Sequence, residues 1–100
     1  MKKFLIEVPH AEDETACFRA IEMFIKSGSH FLANAEWGCK DNEHKAWMIV
    51  ELESRDQAMR VVPSMYRDRA KVTELFRVTR EDVKQYQDKK RFRKAEESHH

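Results

Sequence analysis

Apolar positions in this chain recur with two different periods, and the changes of period divide it into elements. Lys3 to Val8 (KFLIEV) is rich in β-favouring residues and ends at Pro9, where a ladder donor is lost, so it reads as a first strand. In AEDETACFRAIEMFIKSG, Cys17, Ala20, Ile21, Phe24 and Ile25 fall at the three-and-four spacing of one helical face. Asp13 is placed to cap that helix, acidic residues crowd its first turn, and Gly28 supplies a stop. Phe31 to Trp37 reads as a second strand and Lys45 to Leu52 (KAWMIVEL) as a third. The turn formers of GCKDNEH join them as a hairpin with a long tip.

Ser54 and Gln57 form a capping box for a helix from Arg55 to about Val62, ended by Pro63. Ser64 to Lys71 reads as a polar connection, and Val72 to Val78 (VTELFRV) as a fourth strand. Thr79 and Asp82 then cap a nearly all-polar helix that begins at Arg80. From residue 87 onward only Phe92 and Ala95 are apolar, so the segment is expected to be frayed helix or disorder. His99 and His100 are set aside as a candidate purification-tag remnant.

The expected order is β-α-β-β-α-β, the split βαβ arrangement of an α+β, ferredoxin-like sandwich: four antiparallel strands with two helices on one face. One domain over residues 1–80 and a charged extension over 81–100 follow. Alternation assigns Phe4, Ile6, Val8, Met48, Val50, Leu52, Val72, Phe76 and Val78 to the helix-covered face. On the second strand Phe31, Ala33, Ala35 and Trp37 are taken as helix-facing, with a bulge near Gly38; the opposite register stays open. The far face then carries Leu5, Glu7, His30, Leu32, Asn34, Glu36, Trp47, Ile49, Glu51, Leu75 and Arg77. An apolar patch of that size is costly in water, so a second copy of the sheet is expected to cover it, giving a homodimer.

Charge changes this picture little. Nineteen Lys plus Arg stand against eighteen Asp plus Glu, for a net charge of +1, so no global field draws the chain to nucleic acid or anionic lipid. The longest apolar run inside the domain, Ala46 to Val50, is far short of a membrane span, and no secretory signal is expected. Cys17 and Cys39 lack CxxC spacing and are expected as free thiols in a reducing, cytoplasmic compartment.

Element order and length over residues 1–80 resemble the dimeric α+β-barrel superfamily, which includes muconolactone-isomerase-like and antibiotic-biosynthesis-monooxygenase-like proteins. The run His30 to Cys39 with His44 and Trp47, then Val62-Pro63 and Phe76, resembles a small bacterial family within it. The resemblance implies a homodimer that binds a small aromatic or carboxylate-bearing molecule, and it supplies no catalytic motif; whether the chain is an enzyme stays open, and no cofactor is implied. The residues expected at such a ligand site are Glu7, His30, Asn34, Glu36, Trp47, Glu51 and Arg77, which combine an imidazole, carboxylates and a fixed cation with an aromatic wall.

Other readings compete. His30, Glu36 and His44, with Asn34 or Cys39 as a further donor, are weak candidates for metal ligands, against plain edge histidines and a solvated hairpin tip. His30 beside Glu36 or Glu7 could move a proton, or could join an interface hydrogen-bond network. A purely structural or regulatory homodimer fits the same pattern. An RNA-recognition module is disfavoured, because KAWMIVEL offers one aromatic where several would stack bases and the surface carries Glu7, Glu36 and Glu51.

Overall fold

The structure is a computed structural model that describes residues 1–97, with side chains described through Lys89; His99 and His100 lie outside the described residues. Strand β1 (Lys2–Pro9) leads into helix α1 (Glu14–Lys26), a one-turn helix α2 (His30–Ala33), a short strand β2 (Glu36–Trp37), strand β3 (Lys45–Leu52), helix α3 (Arg55–Val61), strand β4 (Lys71–Leu75) and helix α4 (Arg80–Glu97). The four strands form one antiparallel sheet in the order β2-β3-β1-β4. The architecture is α+β and compatible with a ferredoxin-like fold, without being a clean plait.

Each expected cap forms where its side chain can reach an unpaired helix donor. Asp13 accepts from the Ala16 N–H at 2.8 Å, and Ser54 from the Gln57 N–H at 3.2 Å. Thr79 and Asp82 cap reciprocally: the Thr79 N–H donates to Asp82 at 2.9 Å, and the Asp82 N–H to the Thr79 hydroxyl at 3.1 Å.

The core lies between the sheet and helices α1 and α3. Phe4, Ile6 and Val8 of β1, Ala46, Met48 and Val50 of β3, and Val72 of β4 meet Ala20, Phe24 and Ala58 there. This is the helix-covered face that alternation assigned to β1 and β3. Register makes it so, since Phe4 pairs with Val50, Ile6 with Met48 and Val72, and Val8 with Ala46.

Three expectations are corrected. Phe31 to Trp37 is not a continuous strand: His30–Ala33 turns into helix α2, because Ser29 caps it by accepting from the Leu32 N–H at 3.3 Å and the Asn34 amide closes it on the His30 carbonyl at 2.8 Å. Leu32 therefore enters the core instead of the far face. Only Glu36 and Trp37 pair with β3, and these two keep the expected sides: Glu36 opposes Trp47, and Trp37 opposes the buried Ala46. Ser64 to Lys71 is more than a polar connection, since a 3-10 turn at Ser64–Tyr66 buries Tyr66 against Phe24. β4 stops at Leu75, so Phe76 and Val78 lie outside the core at 82% and 63% exposure. The polar helix expected from Arg80 runs to Glu97.

Candidate metal centre

The end of the β1–β3 ladder brings two histidines together. Beyond the pair Pro9–Lys45, the His10 N–H donates to the His44 carbonyl at 3.0 Å, so the two residues continue the ladder by one step. Their rings stand edge to face with centroids 5.8 Å apart. The Asp13 cap then starts α1 so that Cys17, whose N–H donates to the Asp13 carbonyl at 3.1 Å, points from the first turn toward the same place. Cys39 arrives from the hairpin.

Gly38 makes that arrival possible. Its N–H donates to the Lys45 carbonyl at 3.1 Å, and its own carbonyl accepts from Asp41 at 2.9 Å and Glu43 at 3.0 Å. A 3-10 turn over Cys39–Asp41 follows, and Asn42 at φ 62° reverses the chain toward His44. A Cβ on Gly38 would stand 2.6 Å from Cζ3 of Trp47 and 2.7 Å from the Glu43 carbonyl oxygen, so only glycine permits this approach.

The donor atoms of His10, Cys17, Cys39 and His44 all lie within 4.8 Å of one another. His10 Nε2 is 2.8 Å from Cys17 Sγ and 3.2 Å from Cys39 Sγ. Cys17 Sγ donates to Cys39 Sγ at 3.0 Å and lies 3.7 Å from His44 Nδ1. His10 and Cys17 are buried, while Cys39 and His44 are half-buried. Both cysteines are free thiols, as expected from their spacing.

The surroundings favour uncharged donors. Burial, and then the nearby His44, hold His10 below the usual histidine range, which keeps its imidazole neutral at physiological pH. The hydrogen bond to Cys39, and then burial, push the Cys17 thiol up to about 11. A cation at the centre reverses that balance, because a coordinating thiol is deprotonated outright. His44 Nε2 lies 3.3 Å from Asn42 Oδ1, an acceptor that orients the ring with Nδ1 toward the sulfurs. Among the described residues, His10 Nδ1 is buried without a hydrogen-bond partner.

Of the residues expected at a ligand site, Glu7, Glu36, Trp47 and Glu51 lie on the side of the sheet away from the core, while His30 and Asn34 belong to helix α2 and its C-cap. Glu7, Trp47 and Glu36 stand in a row across β1, β3 and β2, and the Trp47 indole N–H donates to Glu7 Oε1 at 3.2 Å. A shallow depression of about 440 Å³ lined by Leu5, Asn34, Glu36, Trp47 and Ile49 lies beside that row. His30 and Glu51 line a neighbouring depression that also touches Asn34 and Ile49. Arg77 lies beyond the end of β4, lining a third with Lys3 and Leu75. Of the metal candidates read from sequence, His44, with Cys39 as a further donor, lies in the cluster; His30 and Glu36 are not part of it. His10 and Cys17 escaped that reading. No family model, curated protein or solved structure matches this chain.

Proposed function

We propose that this chain is a metal-binding α+β protein whose His10, Cys17, Cys39 and His44 hold one zinc ion. The observation that carries the reading is the convergence of four donor atoms within 4.8 Å from three separate places in the fold: the end of β1, the first turn of α1 and the β2–β3 hairpin. Two thiolates and two imidazoles are an ordinary tetrahedral set for zinc, a borderline-soft ion. With Zn–S at about 2.3 Å and Zn–N at about 2.05 Å, a tetrahedron separates the sulfurs by about 3.8 Å and each S–N pair by about 3.5 Å. The sulfurs stand at 3.0 Å and the three short S–N distances run from 2.8 to 3.7 Å, so shifts below about 1 Å open the cluster to that geometry.

Four protein donors fill a tetrahedral shell, which makes the centre structural and ties the hairpin to β1 and α1. The test is metal content by native mass spectrometry after expression with zinc, for the wild-type chain and for Cys17→Ser and His44→Ala. The reading predicts one zinc per chain in the wild type and loss of zinc in both variants. A metal-free wild type under zinc supplementation, or full zinc in the variants, would refute it.

A second reading concerns the far face, as a ferredoxin-like, dimeric α+β-barrel protein that shields a small-molecule site with a second copy. Its support is an Ile49 that is 64% exposed beside Leu5 and Trp47 on the side of the sheet away from the helices. Glu7, Asn34, Glu36 and Trp47 would face the ligand, with His30, Glu51 and Arg77 at the margin. A homodimer without a ligand is the alternative on the same face. Ile49→Asp, followed by light scattering, separates these from a monomer: the reading predicts that a wild-type dimer dissociates.

A further inference from the structure

We infer that Cys17 and Cys39 form a redox-modification site, in which a peroxide joins the two sulfurs as a disulfide and thereby expels the metal. The inference rests on the zinc reading for its second half, while the sulfur chemistry stands on the geometry of the pair. The sulfurs are 3.0 Å apart, about 0.8 Å short of their separation around zinc and about 1 Å beyond a disulfide bond. Both states are therefore reached by small movements of the same two side chains.

Access orders the steps. Cys17 is buried and Cys39 half-buried, so Cys39 meets the oxidant first. Its thiolate sulfur attacks one peroxide oxygen; an S–O bond forms, the O–O bond breaks, and the hydroxide released takes a proton to become water. The Cys17 thiolate then attacks Cys39 Sγ; the S–S bond forms, the S–O bond breaks, and the second hydroxide takes a proton to leave as water. In sum, two thiolates, one hydrogen peroxide and two protons give one disulfide and two waters. His10 and His44 alone remain as donors, too few to retain zinc in a closed four-coordinate shell. Cys17 and Cys39 are the only cysteines in the chain, so no other thiol within it competes to resolve the sulfenic acid.

Hydrogen peroxide added to the zinc-loaded protein, with released zinc read by a chromogenic chelator and the products by non-reducing peptide mapping, tests this directly. The expected result is one zinc released per Cys17–Cys39 disulfide formed, with both reversed by a dithiol reductant in the presence of zinc. Cys17→Ser removes the resolving sulfur, and Cys39 in that variant is expected to proceed to the sulfinic acid without a cross-link. Sulfinic acid at Cys39 in the wild type, a disulfide between two chains, or zinc retained after disulfide formation would each overturn the inference. A protein that takes up no zinc before peroxide fails the metal reading. A protein that loads zinc and keeps it after peroxide fails the redox inference alone.

Discussion

Replacing Gly38 by alanine perturbs the proposed metal centre without touching a proposed ligand. The added methyl would stand 2.6 and 2.8 Å from two carbons of the Trp47 ring and 2.7 Å from the Glu43 carbonyl oxygen. The indole is half-buried on the far face, while the carbonyl belongs to the backbone of the turn that carries Cys39 and His44. Relief therefore requires the hairpin to shift, and overpacking of this kind costs about 1–3 kcal/mol. If that cost falls on the zinc-bound arrangement, affinity falls by about 5- to 150-fold at 1.4 kcal/mol per factor of ten. Competition with a chromogenic chelator measures it. Gly28→Ala is the control: Gly28 has φ 77°, so a side chain strains the backbone, but among the described residues no atom lies within 4 Å of the added carbon and no proposed ligand is on its turn. It is expected to lower stability by about 1 kcal/mol and leave zinc affinity unchanged. Unchanged affinity in Gly38→Ala, or an equal loss in both variants, would refute the idea that the hairpin positions the ligands.

Three further outcomes are expected. Zinc free at about a thousand times its dissociation constant adds about 4 kcal/mol to folding stability, which calorimetry would read as a rise in Tm of about 16–32 °C; no rise would count against binding to the folded chain. Without metal, stability is expected to fall at both pH extremes, as denaturant titrations across pH would show. It is present above the ordinary histidine value of 6.5 and lost below it as His10, held neutral in the fold, is protonated; it is present below the ordinary thiol value of 9.0 and lost as pH rises from there through about 11, because the unfolded chain ionises Cys17 first. Phe24→Ala, which empties a fully buried ring site between Trp37 and Tyr66, is expected to cost about 3–5 kcal/mol in chemical denaturation; a cost below about 1 kcal/mol would contradict the core assignment.

Sequence patterning is legible where one physical requirement dominates. β1 and β3 alternate because one side of each strand is buried, and α1 shows its apolar stripe for the same reason. Residues 30–37 misled because a single turn of helix shows too few residues to display its period, so SHFLANAEW reads equally as alternation. The deciding contacts were the local bonds of Ser29 and Asn34, which compete with the strand ladder. β4 looked longer than it is because Phe76 and Val78 continue its apolar alternation after pairing with β1 ends.

The four-donor cluster was half legible. Cys39 and His44, separated by four residues of the tip, are a local pair that the hairpin closes, and both are legible in the sequence as donors. His10 follows a strand-ending proline and Cys17 falls in step with an apolar helical stripe, so each has a plain structural explanation by itself. Their meeting depends on one long-range fact, the antiparallel pairing of β1 with β3, which sets His10 beside His44. That pairing brings both cysteines and two of the five histidines to one end of the sheet.

X-ray absorption at the zinc edge of the loaded protein tests the central claim most directly, because it reports the atoms bound to the metal. The account predicts four scatterers, two sulfurs at about 2.3 Å and two imidazole nitrogens at about 2.0–2.1 Å. A shell of five or six oxygen and nitrogen atoms with no sulfur would contradict it.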